Sequence, residues 1–157
     1  MSTHFDDQGN AHMVDVSDKP TADREAIAEG WITLGDEASR VVASGTAKKG
    51  DVLAVAQLAG ISAAKRTPDL IPLCHPLPLT GVKVTLQQTD NVVHVVARVR
   101  CTWRTGVEME ALTSVSAALL TVYDMVKGID KAPVIGPIQL CEKRGGRSGE
   151  WIRAPRP

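Results

Sequence analysis

The chain has 157 residues, of which 43% are hydrophobic and 23% charged, a balance typical of one globular domain. Lysine and arginine together number 18, as do aspartate and glutamate, so the formal net charge is zero. This argues against a nucleic-acid or membrane-surface protein, which usually carries a basic excess, and an aromatic content of 3% is too low for the stacking surfaces of single-strand binders.

The expected compartment is the cytoplasm. The sequence contains no run of about 18 apolar residues, so no membrane span is predicted. The polar N-terminus lacks the apolar core of a signal peptide. The three cysteines, Cys74, Cys101 and Cys141, are far apart, and an odd number without a framework fits a reducing compartment. Because no CxxC, HxH or HExxH motif occurs, no structural zinc site is predicted.

The N-terminal third predicts a leader, a strand and a helix. Residues 1–24 are polar and turn-rich, which predicts a mobile leader. Residues 26–34 favour a strand. Asp36 is predicted to cap a short helix that ends at Gly45.

A second helix is predicted over residues 51–58, with Gly60 as its stop and a short continuation capped by Ser62. Prolines at positions 68, 72, 76 and 78 then predict an irregular segment, because proline blocks helix and sheet hydrogen bonds.

A β-hairpin is predicted next. Residues 82–88 alternate apolar and polar, residues 89–91 form the turn, and residues 92–104 return. One face of the returning strand is apolar and carries Val93, Val95, Ala97, Val99, Cys101 and Trp103. The opposite face is polar and carries His94, Arg98, Arg100, Thr102 and Arg104.

The segment from Thr105 to Lys127 predicts one long helix that starts near Gly106 and has no charge between Ala111 and Tyr123. Its apolar residues point in all directions, and a helix that is apolar all round is buried all round. Since so short a chain struggles to cover such a helix, we expect a second subunit to cover part of it. The alternative is a core helix with solvated ends.

A last strand is predicted over residues 134–141, with a bend at Gly136-Pro137. The glycine loop, residues 145–149, is flexible and of a size to hold a phosphate, and residues 150–157 form a tail. This order of elements predicts a single α+β domain of the ferredoxin-like, split βαβ type, an antiparallel sheet with helices on one face. The open face would carry Lys83 and the three arginines of the returning strand, either solvated or packed against a partner.

Four cations lie in loops or at element ends: Lys49, Lys65, Lys127 and Lys143. If they converged they would suit a phosphate ligand, whereas each alone is an ordinary surface charge. Asp124 and Lys127 share a helix face and form either a surface ion pair or a catalytic acid–base pair.

His75 lies between prolines, in a loop that is expected to be preformed. It could bind substrate, transfer a proton or fill a pocket. Cys74 could be a nucleophile, but no sequence feature supplies an activating base. Glu108 and Glu110 lie in the first turn of the long helix, where their negative charges interact favourably with the helix dipole. This interaction explains their presence unless they also contact a ligand.

Taken together, several segments resemble the MoaC family of molybdenum-cofactor biosynthesis. The clearest are AGISAAKRTPDLIPLCHPLPL, TGVEMEALTSVSAALLTVYDMVK and IGPIQLCEKRGGRSG, and HMVDVSDK and KKGDVLAVAQLAGI also match. The resemblance covers about residues 11–151 in order, without large gaps.

The resemblance implies a ferredoxin-like homohexamer, a trimer of dimers, with active sites at subunit interfaces. It implies a lyase that converts 3′,8-cyclo-7,8-dihydro-GTP, the product of a radical GTP cyclase, into cyclic pyranopterin monophosphate and pyrophosphate. It implies no resident cofactor; no carboxylate cluster announces a metal, although Mg²⁺ could accompany the triphosphate.

By motif, the resemblance makes Lys49, Asp124 and Lys127 the catalytic residues. Its substrate-binding positions are Leu73, Cys74, His75, Met109, Glu110, Lys65, Glu108, Arg100, Arg104 and Lys143. Arg104 and Arg147 stand where some members have lysine, and the tail has no clear counterpart. Two other classes stay open: a non-catalytic nucleotide-binding module, which would explain the cations without chemistry, and an RNA-binding sheet, which the neutral charge and missing sheet aromatics disfavour.

Overall fold

The computed structural model describes residues 4–147 and 149–154. Within them the helices and strands follow in the order β1 (Ala22–Thr33), α1 (Asp36–Ser44), α2 (Val52–Ala64), α3 (Thr67–Leu70), β2 (Leu79–Thr89), β3 (Val92–Trp103), α4 (Glu108–Val126), β4 (Val134–Arg144) and β5 (Trp151–Ile152). Residues 1–3 of the predicted leader, Ser148 of the glycine loop and the last three residues of the tail lie outside the described residues.

The five strands form one antiparallel sheet in the order β2-β3-β1-β4-β5. The first four strands have the arrangement of the split βαβ fold, so the ferredoxin-like prediction is confirmed. The predicted bend at Gly136-Pro137 is present, because the register between β1 and β4 shifts there.

The core lies between the sheet and α4. The inward residues of β3 from Val93 to Cys101 are buried as the alternation predicts, but Trp103 at the end of that strand is 37% exposed. Gly30 on β1 leaves room for α4, since a side chain there would press on Val115 and Leu119. By length and composition α4 could cross a bilayer, a test that a core helix of this kind also passes. It still exposes Leu120, 62% of whose surface meets solvent in the protomer.

Two predicted boundaries in the helical layer are wrong. Helix α2 continues through Gly60, because this glycine is buried against α4 and its helical hydrogen bonds are kept while the missing side chain allows close approach. The proline segment is not wholly irregular, since Pro68 occupies the first turn of the short α3, where its missing N–H costs nothing.

The predicted capping role of Asp36 is also wrong. Gly35 is the N-cap of α1 and Asp36 already lies in the first helical turn. Its carboxylate instead accepts a hydrogen bond of 2.6 Å from the Asn91 side chain, which ties α1 to the β2–β3 turn. Gly45 ends the helix in the left-handed conformation as predicted.

We expect Gly60→Val to destabilise the protein by about 2 kcal/mol through overpacking. A Cβ atom at this position would lie 3.1 Å from the Ser114 carbonyl oxygen and 3.3 Å from a methyl group of Val84, so the helices would have to separate. Thermal and urea unfolding measure the loss. Ala54→Val, at an exposed position of the same helix, controls for β-branching, and equal stability of the two variants would contradict the close-packing argument.

Candidate active site

Three predicted catalytic side chains meet at the C-terminal end of α4. The Lys127 Nζ lies 2.8 Å from one carboxylate oxygen of Asp124, and the Lys49 Nζ lies 3.2 Å from the other. Lys49 also donates to the main-chain carbonyl of Asp124 at 2.8 Å. A loop residue distant in sequence is thereby fixed beside two helix residues that share one face. We call these three residues the Lys–Asp–Lys cluster.

The electrostatics of this cluster follow from its pairing. Hydrogen bonds from Lys127 and then Lys49 hold the pKa of the Asp124 carboxyl below its ordinary value, and the bond to Asp124 raises the pKa of Lys127. All three side chains are more than half exposed in the protomer, so solvent screens the attraction between them. The resting arrangement is one carboxylate between two ammonium groups, and it can take or give a proton when a ligand changes its surroundings.

A second group of predicted residues gathers at the opposite, N-terminal end of α4. A cavity of about 420 Å³ is lined by the predicted binding residues Leu73, Cys74, His75, Glu108, Met109 and Glu110. The His75 Nε2 lies 2.7 Å from the Val14 carbonyl oxygen. Since a carbonyl oxygen only accepts hydrogen bonds, Nε2 carries the proton of this contact. In the neutral ring Nδ1 is then a hydrogen-bond acceptor. The leader therefore helps to orient this histidine.

The buried carboxyl of this cavity, Glu110, is a weaker acid than an ordinary glutamate. Glu110 is 3% exposed, and burial followed by the nearby Glu108 charge raises its pKa to about 7. It can thus donate or accept a hydrogen bond near neutral pH. Burial, and then the charge of Glu110, also raises the pKa of the Cys74 thiol. That keeps Cys74 protonated and disfavours the nucleophile interpretation.

We expect the free energy of unfolding to fall by about 3 kcal/mol as the pH rises through the range set by Glu110. Its pKa is 4.5 when unfolded and about 7 when folded, so the folded protein binds more protons between these values. The stabilisation is complete below pH 4.5 and is lost as the pH rises through 7. Unfolding of wild type and Glu110→Gln across this range measures it. A wild-type-minus-variant difference that does not change with pH would contradict the assignment.

A basic cavity of about 510 Å³ adjoins the first and shares Lys19, Thr105, Gly106 and Glu108 with it. Its cations are Lys19, Arg24, Arg104, Lys143, Arg144 and Arg147, and its acids are Glu25 and Glu108. Lys143 Nζ pairs with Glu108 Oε1 at 3.1 Å, so one cation is positioned between the two cavities. The excess of positive charge suits a polyphosphate.

Sequence reasoning missed several charged residues of this cavity, namely Lys19, Arg24, Glu25 and Arg144, and Arg24 makes the most contacts of structural interest. Its guanidinium donates to the main-chain carbonyls of Trp103, Arg104 and Gly145, which joins the start of β1, the end of β3 and the glycine loop. A Cβ atom at Gly145 would collide with the main-chain oxygen of Asp23, and one at Gly146 would displace the Arg24 guanidinium; both residues also have a positive φ, which favours glycine. No motif announces Arg24; the only sequence signal is a cation at a strand start.

Two predicted binding residues lie apart from these cavities. Arg100 is on the open sheet face, where Glu25 bridges it and Arg98. Lys65 caps the C-terminal end of α2 and lines a separate hollow with Leu77 and Thr80. Neither meets the Lys–Asp–Lys cluster within the described part of one protomer.

The Lys–Asp–Lys cluster and the Glu110 cavity are far apart in the protomer. Both lie on α4, and at a rise of about 1.5 Å per residue Glu110 and Asp124 are separated by about 21 Å along the axis. No single small ligand on one protomer reaches both groups. In the described residues, no group of three or more His, Cys, Asp or Glu side chains is placed to hold a metal ion.

The fold defines a ferredoxin-like α+β protein, and its basic cavity fits an anionic small molecule. The MoaC family model matches residues 13–146. The chain belongs to the MoaC family.

Curated relatives named cyclic pyranopterin monophosphate synthase match nearly the whole chain. The one from Heliobacterium modesticaldum is 57% identical over 153 residues, covering 96% of this chain and 96% of the relative. The one from Thermomicrobium roseum is 56% identical over 153 residues, covering 96% and 92%. The one from Dinoroseobacter shibae is 56% identical over 151 residues, covering 95% and 96%.

Proposed function

We propose that the protein is a cyclic pyranopterin monophosphate synthase, a lyase of molybdenum-cofactor biosynthesis. Its substrate is 3′,8-cyclo-7,8-dihydro-GTP, and its products are cyclic pyranopterin monophosphate and pyrophosphate. The observation that carries this proposal is the match to relatives of that name over nearly the whole chain at 56–57% identity. The basic cavity beside a buried carboxyl gives it a physical basis.

The reaction requires proton transfers during ring rearrangement and a displacement at phosphorus. A substrate hydroxyl attacks the α-phosphorus, the bond to the bridging oxygen breaks, and pyrophosphate leaves. In this proposal the Lys–Asp–Lys cluster moves the protons, because it holds a carboxylate and two ammonium groups in hydrogen-bond contact. The cations of the basic cavity stabilise the charge that develops on the leaving pyrophosphate.

The base and sugar of the substrate are oriented in the Glu110 cavity. Glu110, with its pKa near 7, hydrogen bonds to the ring system in either protonation state, and His75 offers Nδ1 while the Val14 carbonyl fixes its other nitrogen. No resident cofactor is proposed. A Mg²⁺ ion that arrives with the triphosphate would be held by the phosphate oxygens.

One active site is proposed to form between two protomers of a homohexamer in the cytoplasm. The support is the separation of about 21 Å between the two groups on α4 of one protomer. A second protomer that places its Asp124 end over the Glu110 cavity would bring the two groups together in one site. The exposed Leu120 on the same helix fits an α4 that is covered on assembly. Light scattering tests the assembly, and a monomer at micromolar concentration would overturn the shared site.

The function is tested by turnover. Purified protein is mixed with 3′,8-cyclo-7,8-dihydro-GTP, and pterin product and pyrophosphate are followed by mass spectrometry. Formation of both products in equal amounts is the expected result. Unchanged substrate bound to a well-folded oligomer would overturn the lyase and favour the non-catalytic binding module.

A further inference from the structure

The last residues of the described chain close a hairpin over the edge of β4. Trp151 and Ile152 form β5, which pairs with Lys143 and Glu142 after the chain has passed through the glycine loop. The Arg153 N–H donates to the Cys141 carbonyl at 2.8 Å, and its guanidinium donates to the Leu140 carbonyl. We call residues Glu150 to Arg153 the C-terminal clasp.

The clasp is held by polar contacts. Trp151 is 40% exposed and Ile152 is 58% exposed, so neither side chain belongs to the buried core. In addition to the main-chain pairing, Glu150 binds Arg144 at 2.7 Å, and the Arg153 guanidinium lies 5.4 Å from the Trp151 ring centroid. A substitution that removes several of these polar contacts at once is therefore expected to loosen the strand.

The clasp determines the surroundings of one wall of the basic cavity. Lys143 is paired on one side with Ala26 of β1 and on the other with Trp151 of the clasp, and its Nζ points to Glu108 in the cavity. The segment from Gly145 to Arg147, which also lines the cavity, is attached to Arg24 at one end of the hairpin. Without the clasp, β4 becomes an edge strand and the main chain at Lys143 loses one of its two neighbours.

We infer that the C-terminal clasp is a positioning element for the polyphosphate end of the substrate, which it serves by fixing Lys143 and the Gly145–Arg147 segment. This rests on the proposed function, and it assigns a role to a tail that the family resemblance left without one. The Lys–Asp–Lys cluster is held by contacts within its own protomer, and none of the described contacts of the clasp reaches it. Loosening the clasp therefore weakens binding of the phosphates and leaves the geometry of the cluster unchanged, also where a second protomer places its cluster over the Glu110 cavity.

The test uses Arg153→Pro, which removes the main-chain N–H donor and the guanidinium donor together and keeps the chain length. We expect the dissociation constant for pyrophosphate and the KM for the substrate to rise about tenfold, with kcat changed less than about twofold. Hydrogen exchange of the amides from Cys141 to Arg147 is expected to accelerate. Arg153→Ala removes only the side-chain bond and is expected to give a smaller shift in the same direction.

Arg40→Ala is the matched control, because Arg40 is an exposed arginine on α1 away from both cavities. It is expected to match the wild type in every measurement. If both Arg153 variants kept the pyrophosphate affinity, the KM and the hydrogen exchange of the wild type, the positioning role of the clasp would be overturned. Turnover by the wild-type protein would in that case still support the proposed function. Absence of turnover in the wild type would overturn the function, and the pyrophosphate measurements would still decide the clasp. If the wild-type protein did not bind pyrophosphate, the positioning role of the clasp would also be overturned.

Discussion

Asp124→Asn is expected to lower kcat about a thousandfold, within the usual range for losing a positioned acid or base. The amide keeps the shape of the side chain but removes the negative charge that both lysines contact at 2.8 and 3.2 Å. Lys49 and Lys127 would then face each other without a counter-charge, and the pKa of Lys127 would fall from its raised value. Steady-state turnover of 3′,8-cyclo-7,8-dihydro-GTP measures the loss.

The control for this variant is Asp69→Asn. Asp69 is also an exposed aspartate paired with a cation, since it lies 3.9 Å from Arg66, but it lies outside both cavities. We expect it to keep wild-type kcat. If Asp124→Asn retained kcat within about twofold of the wild type, the Lys–Asp–Lys cluster would not be the proton-transfer group of this reaction.

Two inactive variants, Asp124→Asn and Glu110→Ala, the second of which lacks the carboxyl group that orients the substrate, are expected to recover activity when their subunits are mixed. In the shared site, the Asp124 end of one protomer meets the Glu110 cavity of another. A mixed oligomer therefore contains some sites in which both contributions are intact. With equal amounts and random assembly, each of the two halves of a site is intact with a probability of about one half. About a quarter of the sites, and hence about a quarter of the wild-type activity, is therefore expected. Co-refolding followed by the turnover assay measures it.

The control mixture is Asp124→Asn with Lys49→Ala. Both residues belong to the same cluster of one protomer, so every site in that mixture carries a defect and no recovery is expected. Recovery in the control alone, or in neither mixture, would contradict a site divided between subunits along α4. Either variant alone must remain inactive after the same refolding procedure.

Periodicity in the sequence was enough to predict the sheet and its long helix. The alternation from Val93 to Cys101 identified the buried face of β3, and the uncharged run after Glu110 identified α4, because side-chain periods of 2 and 3.6 follow from backbone geometry alone. The ferredoxin-like order of strands followed from these elements. The family motifs then indicated Lys49 and Asp124 as catalytic residues without showing that they meet, and the structure places them in contact.

The errors in the sequence analysis lie where tertiary contacts decide. Gly60 looked like a helix stop because glycine weakens helices locally, but close packing of α2 on α4 outweighs that preference. Asp36 looked like a cap, yet Asn91, distant in sequence, engages its carboxylate. Trp103 continued the apolar alternation but is the last residue of the strand, and 37% of its surface stays exposed.

The sequence by itself determined the fold class, the family and the residue types of the candidate site, because these depend on local periodicity and on motifs that are continuous in the chain. Only the tertiary structure decided which charges converge. It brought Lys49 to Asp124, placed Arg24 against three carbonyls and raised the pKa of Glu110 to about 7 by burial. It also separated the two groups of predicted site residues along α4, since distances across a fold and the loss of solvent depend on packing that no local pattern encodes.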